Sequence, residues 1–252
     1  MHFWAPDIYE GASNVTTSFI ATVPKIAATA VLIRIAMFGL FASPDFVTVL
    51  IVISALSMTF GNLVGLVQKD VKRLLAYSGI AHAGYLLMGV LALTKEGNAA
   101  AIFYMTVYLF MNLGAFYVVV LLSKSGENVE LNDLKGLSKR APLLGFVLAV
   151  SAFSLAGIPP AGGFTGKLFL FTSAFAKGHL TLVIIGAVNS VISIFYYLNL
   201  VRLSYSKEAE VSEPLKLTFD QKALCFLFIS LILYMGILPS SFMNLFRLSA
   251  PF

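Results

Sequence analysis

The sequence predicts an all-α polytopic membrane protein with about seven transmembrane helices, one of them broken. Three observations predict it. The 252 residues are 59% hydrophobic and 12% charged, against about 25% charge in an average soluble domain, and the mean hydropathy is +0.90. The apolar residues form runs long enough to cross a bilayer, which takes about 20 residues. The basic residues fall in short loops between those runs, as they do in membrane proteins. That placement also rejects nucleic acid as the reason for a net charge of +5.

The spans read as 16–42, 46–67, 75–94, 99–122, 141–176, 181–204 and 222–246. The first carries Val23-Pro24-Lys25 inside an apolar run, and the third carries His82. The fifth is too long for one straight crossing and contains Gly157-Ile158-Pro159-Pro160-Ala161-Gly162-Gly163. It reads as two half-helices joined by irregular backbone. Such backbone survives at membrane depth only inside protein or beside a water-filled cavity. In the loop 123–140, Leu131, Leu134 and Leu137 have the spacing of a short helix lying at the membrane surface. The loop 205–221, with Lys207, Glu208, Glu210, Glu213 and Asp220, reads as solvated. Cys225 is the single cysteine, so no disulfide forms within the chain, and it reads as a packed thiol. No basic region precedes an apolar core at the N-terminus, so no signal peptide is read.

Loop charge sets the orientation. On the side of the N-terminus lie Lys69, Lys72, Arg73, Lys124, Lys135, Lys139, Arg140, Arg202, Lys207, Lys216 and Lys222, against Lys95, Lys177 and Arg247 on the other. Eleven against three puts the N-terminal side in the cytoplasm. Seven crossings then put the C-terminus on the far side, the periplasm of a bacterial cell.

Two lysines inside spans are the candidate chemistry. An ionised side chain at bilayer depth is costly and is seldom kept without a use. Lys167 follows the Gly/Pro break, and Lys25 follows Pro24, which points to a path for protons or cations. The bland reading of Lys167 is pairing with a carboxylate of another subunit; that of Lys25 is a stem snorkelling to the interface. His82 relays protons or simply bonds a neighbouring carbonyl. Tyr77, Ser78, Thr165, Tyr104, Tyr108 and Asn112 line a hydrated path or join helices. Arg34 reads as snorkelling, and Phe195, Tyr196 and Tyr197 read as packing or interface residues. No acidic residue lies deep in a span, no Cys/His cluster fits a metal or iron–sulfur centre, and no phosphate-cradling glycine loop is present. No cofactor-binding or metal site is therefore assigned to this chain, and the energy for ion movement must come from a partner.

Several stretches resemble one family. His2-Phe3-Trp4-Ala5-Pro6-Asp7-Ile8-Tyr9-Glu10-Gly11-Ala12 resembles the signature of the subunit N family of proton-pumping NADH–quinone oxidoreductase, respiratory complex I. Val23-Pro24-Lys25-Ile26-Ala27, Lys72-Arg73-Leu74-Leu75-Ala76-Tyr77-Ser78, Ala81-His82-Ala83-Gly84-Tyr85, Leu113-Gly114-Ala115-Phe116 and Ser154-Leu155-Ala156-Gly157-Ile158-Pro159-Pro160 with Gly163-Phe164 and Gly166-Lys167 match in family order. The wider group includes cation/proton antiporters and hydrogenase membrane subunits. Ser13-Asn14-Val15-Thr16-Thr17 replaces the family's usual Pro-Thr-Pro run.

The resemblance implies that Lys25 and Lys167 transfer protons and that His82 lines the channel. It implies that NADH, FMN, iron–sulfur clusters and quinone belong to partner subunits, and that the partners are the other membrane subunits of complex I within the lipid bilayer. It also implies an organisation. Residues 1–45 are a cytoplasmic segment and the last helix of a first, mostly missing inverted repeat. Residues 46–204 are a second five-helix repeat, and 205–252 a loop and final helix. The family has about fourteen spans, so the chain reads as a C-terminal half, by fragmentation or a misassigned start. Short loops and the lack of a transit segment point to a bacterial inner membrane rather than an organellar inner or thylakoid membrane. Two alternatives stand beside this reading: a subunit of a sodium/proton antiporter or membrane-bound hydrogenase, and a truncated, non-pumping scaffold.

Overall fold

The computed structural model of the protein describes residues 3–38, 43–123, 126–207 and 214–250, and every regular element among them is a helix. In order these are α1 (Ala5–Gly11), α2 (Asn14–Met37), α3 (Pro44–Gly65), α4 (Val71–Leu91), α5 (Lys95–Leu122), a 3-10 turn (Leu131–Leu134), α6 (Leu137–Arg140), α7 (Pro142–Ala156), α8 (Gly162–Ala176), α9 (Leu180–Ser204), α10 (Phe219–Ile237) and α11 (Pro239–Ser249). Among the described residues six, α2, α3, α4, α5, α9 and α10, are long and apolar enough to cross a membrane. The broken span is there as α7 and α8.

Local chemistry sets the helix ends. Asp70 Oδ1 accepts from the Arg73 backbone N–H at 2.7 Å and starts α4 four residues before the predicted span, so Lys72 and Arg73 lie on the helix rather than in a loop. Ser13 Oγ accepts from Thr16 N–H at 3.3 Å to start α2, and Thr94 Oγ1 accepts from Gly97 N–H at 3.1 Å to start α5. A side-chain oxygen at the cap meets an N–H that has no partner within the helix.

Three expectations need correction. Residues 5–11 form a helix, α1, where only a lead-in segment was expected. The seventh span, predicted as 222–246, is two helices that meet at Leu238–Pro239. Proline has no N–H to donate and its ring clashes with the preceding turn, so α10 stops and α11 restarts. The leucines of loop 123–140 do fall on short helical turns, Leu131–Leu134 and α6, but these turn their side chains into the protein. Leu134 and Leu137 are buried within the protein, because the loop is tied to the start of α4 by Val71 N–H to Val129 O at 3.0 Å and Leu131 N–H to Lys69 O at 2.9 Å. Lys124, Glu208, Glu210, Glu213 and the C-terminal Phe252 lie outside the described residues.

The helix α4 is buried along nearly its whole length and α5 over most of it. The others surround this pair and keep apolar residues on the outside, such as Phe19, Val31, Val49, Phe195 and Phe226. Exposed apolar side chains on long helices are what a lipid solvent requires.

The loops on the side of the N-terminus form one bonded floor. Gly136 N–H donates to Leu203 O at 3.2 Å, Leu215 N–H to Arg140 O at 3.0 Å, and Asn14 Nδ2 to Glu127 O at 3.2 Å. Arg73 pairs with Asp7 at 3.1 Å and Glu10 at 2.5 Å. Buried Lys72 donates to Glu10 O at 3.1 Å and Ala12 O at 2.9 Å, the carbonyl end of α1. Burial, the largest influence, holds the Asp70 carboxyl above its ordinary range, opposed by the Arg73 N–H and by Lys72.

Candidate functional site

Lys25 is half-buried and points from α2 into the α4–α5 pair. Pro24 removes one backbone hydrogen bond just before it. Its ammonium donates to Tyr108 Oη at 2.9 Å. Its nitrogen lies 5.2 Å from the centre of the Tyr108 ring and 5.9 Å from that of Tyr9, within the range of cation–π attraction. Room for it is made by Gly79, where a Cβ would fall onto Lys25 Nζ and lie 3.1 Å from Tyr108 Oη.

Lys167 is 4% exposed. Its ammonium donates to Leu155 O at 3.1 Å and Ala156 O at 3.0 Å. These are the last carbonyls of α7, at the negative end of that half-helix. The break leaves these carbonyls without intrahelical partners. Gly157 sits at φ +84°, a left-handed conformation that ends α7, and a Cβ on it would lie 3.0 Å from Lys167 Cδ. Pro159 and Pro160 are exposed on the outer side of the break. Gly162 and Gly163 start α8 and let it approach its neighbours: a Cβ on Gly162 would lie 3.0 Å from Val107, and one on Gly163 would strike Ser154 O.

Between the lysines stands His82, 4% exposed. Its Nδ1 bonds Tyr104 Oη at 2.5 Å and its Nε2 bonds Tyr197 Oη at 3.0 Å. Tyr197 Oη also bonds Ser78 Oγ. The His82 ring lies 5.1 Å from the Tyr108 ring and 6.0 Å from the Tyr85 ring. Lys167 Nζ sits 4.8 Å over that same Tyr85 ring. A neutral imidazole donates at one nitrogen and accepts at the other, so this ring can take a proton on one side and release one on the other. A cavity of about 230 Å³ lies beside the row, lined by Lys25, Thr29, Ser57, His82, Tyr104 and Tyr108 among others. One water needs only about 10–15 Å³ of such space.

The predicted residues divide. Lys25, Lys167, His82 and Ser78 come together with Tyr104 and Tyr108. Tyr77 does not: it is half-buried and packs edge-on to Phe60, with ring centres 6.1 Å apart. Thr165 donates to Gly236 O at 3.2 Å and ties α8 to α10. Tyr196 and Tyr197 are not interface residues. Tyr197 is fully buried and holds His82, while Tyr196 Oη donates to Asn62 Oδ1 at 2.8 Å; of the three aromatics only Phe195 faces outward, at 68% exposed. Sequence reasoning also missed the polar staple that places α9. Asn62 Nδ2 donates to Asn189 O at 3.1 Å, and Asn189 Nδ2 donates to Thr59 Oγ1 at 3.1 Å. The available signal was an asparagine in each of two apolar runs. Among the described residues no cluster of His, Cys, Asp and Glu can hold a metal ion, and neither Lys25 nor Lys167 has a carboxylate partner.

The family described as "NADH:quinone oxidoreductase/Mrp antiporter, TM" matches residues 1–193. The NADH-quinone oxidoreductase subunit N 2 of Solidesulfovibrio magneticus is 46% identical over 248 residues, which are 97% of this chain and 52% of the relative. A chain of respiratory complex I from Thermus thermophilus with bound aureothin superposes with a TM-score of 0.85 at 36% identity, over 96% of this chain and 54% of that one. A chain of the Mrp complex from a Dietzia species gives a TM-score of 0.85 at 21% identity, over 98% and 54%, a likeness of fold alone. This chain spans about half the length of the relatives it matches. It belongs to the NADH:quinone oxidoreductase/Mrp antiporter transmembrane family.

Proposed function

We propose that this chain carries the C-terminal half of the antiporter-like, proton-translocating subunit N of an NADH–quinone oxidoreductase, with Lys25 and Lys167 as its proton carriers. The observation that carries the reading is the row itself: two lysines without carboxylate partners among the described residues, with a doubly bonded histidine between them. A lysine paired with a carboxylate is held in its charged form; one met only by hydroxyls and carbonyls is freer to gain and lose a proton. Lys25 passes its proton by way of the Tyr108 hydroxyl and the cavity to His82. The imidazole and its phenol partners carry it toward Lys167, which releases it beside the break. The gap between His82 and Lys167 is bridged by water, as polar contacts beyond hydrogen-bond reach commonly are.

Two ammonium groups on one low-dielectric row repel, so loading one favours unloading the other. Moving one charge against 100 mV takes about 2.3 kcal/mol. Quinone reduction in partner subunits supplies it, where NADH, FMN and the iron–sulfur clusters reside. The residues α1–α2 close a first inverted repeat, α3–α9 form the second, and α10–α11 end the subunit. The subunit lies in a bacterial inner membrane with the floor of basic loops cytoplasmic, against the other membrane subunits of the complex. A sodium-exchange reading fits less well, because an ammonium group in the path repels a bare cation.

The test is proton uptake by the whole complex in proteoliposomes. With Lys25→Met the complex assembles and oxidises NADH, but pumps far fewer protons per electron. An unchanged proton-to-electron ratio overturns the assignment of Lys25.

A further inference from the structure

On α5, Tyr108, Asn112 and Phe116 stand at i, i+4 and i+8, so they share one face of the helix. Tyr108 holds Lys25 at one end of this stripe. At the other, Phe116 meets Tyr9 edge-on with ring centres 6.1 Å apart. The Tyr9 ring in turn lies 5.9 Å from Lys25 Nζ. Asn112 lies between these two contacts, on the same face of the helix.

Asn112 and Tyr9 are each 1% exposed. Both amide atoms of Asn112 and the hydroxyl of Tyr9 are buried without a hydrogen-bond partner among the described residues. Native proteins satisfy such atoms with protein groups or ordered water. A purely structural core would be better served by leucine and phenylalanine, because apolar groups of the same shape leave nothing unsatisfied. Burial pushes the Tyr9 phenol up, so it stands ready as a neutral hydroxyl. The floor beneath is fixed: Thr17 Oγ1 donates to Tyr9 O at 3.1 Å, and Lys72, Arg73 and Asn128 all bind α1.

We propose that Asn112 and Tyr9 form, with Lys25, a buried water-binding site through which Lys25 takes up protons from the side of α1 and the basic loops. The site rests on the reading of Lys25 as a proton carrier and states where its proton comes from. The step is a transfer from a hydronium held between Asn112 and the amine. One O–H bond breaks, one N–H bond forms at Nζ, and neutral water remains.

The experiment is proton pumping by the complete complex in proteoliposomes, with assembly followed on native gels, for Asn112→Leu, Tyr9→Phe, Asn112→Ser and Lys25→Met. Asn112→Leu and Tyr9→Phe keep the shape of the site and remove its polar atoms. The expected result is assembled complex whose pumping falls about tenfold or more, with part of it regained in Asn112→Ser. Asn112→Leu and Tyr9→Phe that both pump within twofold of the parent overturn the site. If Asn112→Leu fails to assemble, Tyr9→Phe decides alone, since its ring still packs on Phe116. Lys25→Met separates the two claims. When it stops pumping while the other variants pump normally, only the water site falls; when it also pumps normally, the role of Lys25 falls with it.

Discussion

Gly79→Ala presses a methyl group against the Lys25 ammonium. The added Cβ would overlap Lys25 Nζ, and would lie 3.1 Å from Tyr108 Oη and 3.6 Å from Lys25 Cε. Nonbonded atoms need about 3.5 Å or more, so the ammonium withdraws and the 2.9 Å bond to Tyr108 is lost. A hydrogen bond to a charged group is worth about 1.5–3 kcal/mol, which is about 10- to 150-fold in the population with the ammonium in place. Alanine is favoured over glycine inside a helix by about 1 kcal/mol, so α4 is not weakened and the complex should assemble. The assay is NADH-driven proton pumping in proteoliposomes beside the rate of NADH oxidation. Pumping is expected to fall by about tenfold or more. Gly11→Ala is the control, because a Cβ there meets nothing within 4 Å. A Gly79→Ala complex that pumps like the Gly11→Ala control refutes the reasoning.

Three further outcomes are expected. Tyr197→Phe strips His82 Nε2 of its 3.0 Å partner and Ser78 of its own; it should cost about 1–3 kcal/mol and lower the melting temperature in detergent, together with pumping. Gly157→Ala puts a side chain at φ +84° and a Cβ 3.0 Å from Lys167 Cδ; a strain of about 1–2 kcal/mol should appear as a lower melting temperature, and an unchanged one would contradict the account of the break. For Asp70 the folded protein binds the carboxyl proton more tightly than the unfolded chain does, so the group detracts from stability as pH rises above the unfolded value of 3.8. Asp70→Asn keeps an oxygen for the Arg73 N–H, so at pH 7 it should melt no lower than the parent, and a lower melting point would overturn that sign.

Much of the site was legible because membranes make certain residues conspicuous. A lysine in an apolar run stands out by charge alone, which exposed Lys25 and Lys167. The break stood out because Gly157, Pro159, Pro160, Gly162 and Gly163 crowd into an otherwise helical run. What joins the lysines was harder to read. Tyr196 and Tyr197 are neighbours of like chemistry, yet one binds Asn62 and the other His82. That difference lies in the rotation of α9 about its axis. A helix apolar on all sides carries no periodic polar face from which to read that rotation. Tyr77 and Ser78 pose the same problem on α4, where only Ser78 reaches the row. The stop at Leu238–Pro239 hid because prolines are tolerated within membrane spans. The Leu131, Leu134 and Leu137 spacing suits a surface helix or a core-facing turn equally, and the ties of Val129 and Leu131 to the start of α4 decided for the core.

The most direct test of proton transfer through the buried row is the proton-to-electron ratio of the assembled complex with Lys167→Met. This side chain fills the space of Lys167 with apolar atoms and cannot carry a proton. The row predicts NADH oxidation in an assembled complex with a clear loss of protons pumped per electron. A ratio equal to that of the parent would contradict the role of Lys167 and the path that ends at it.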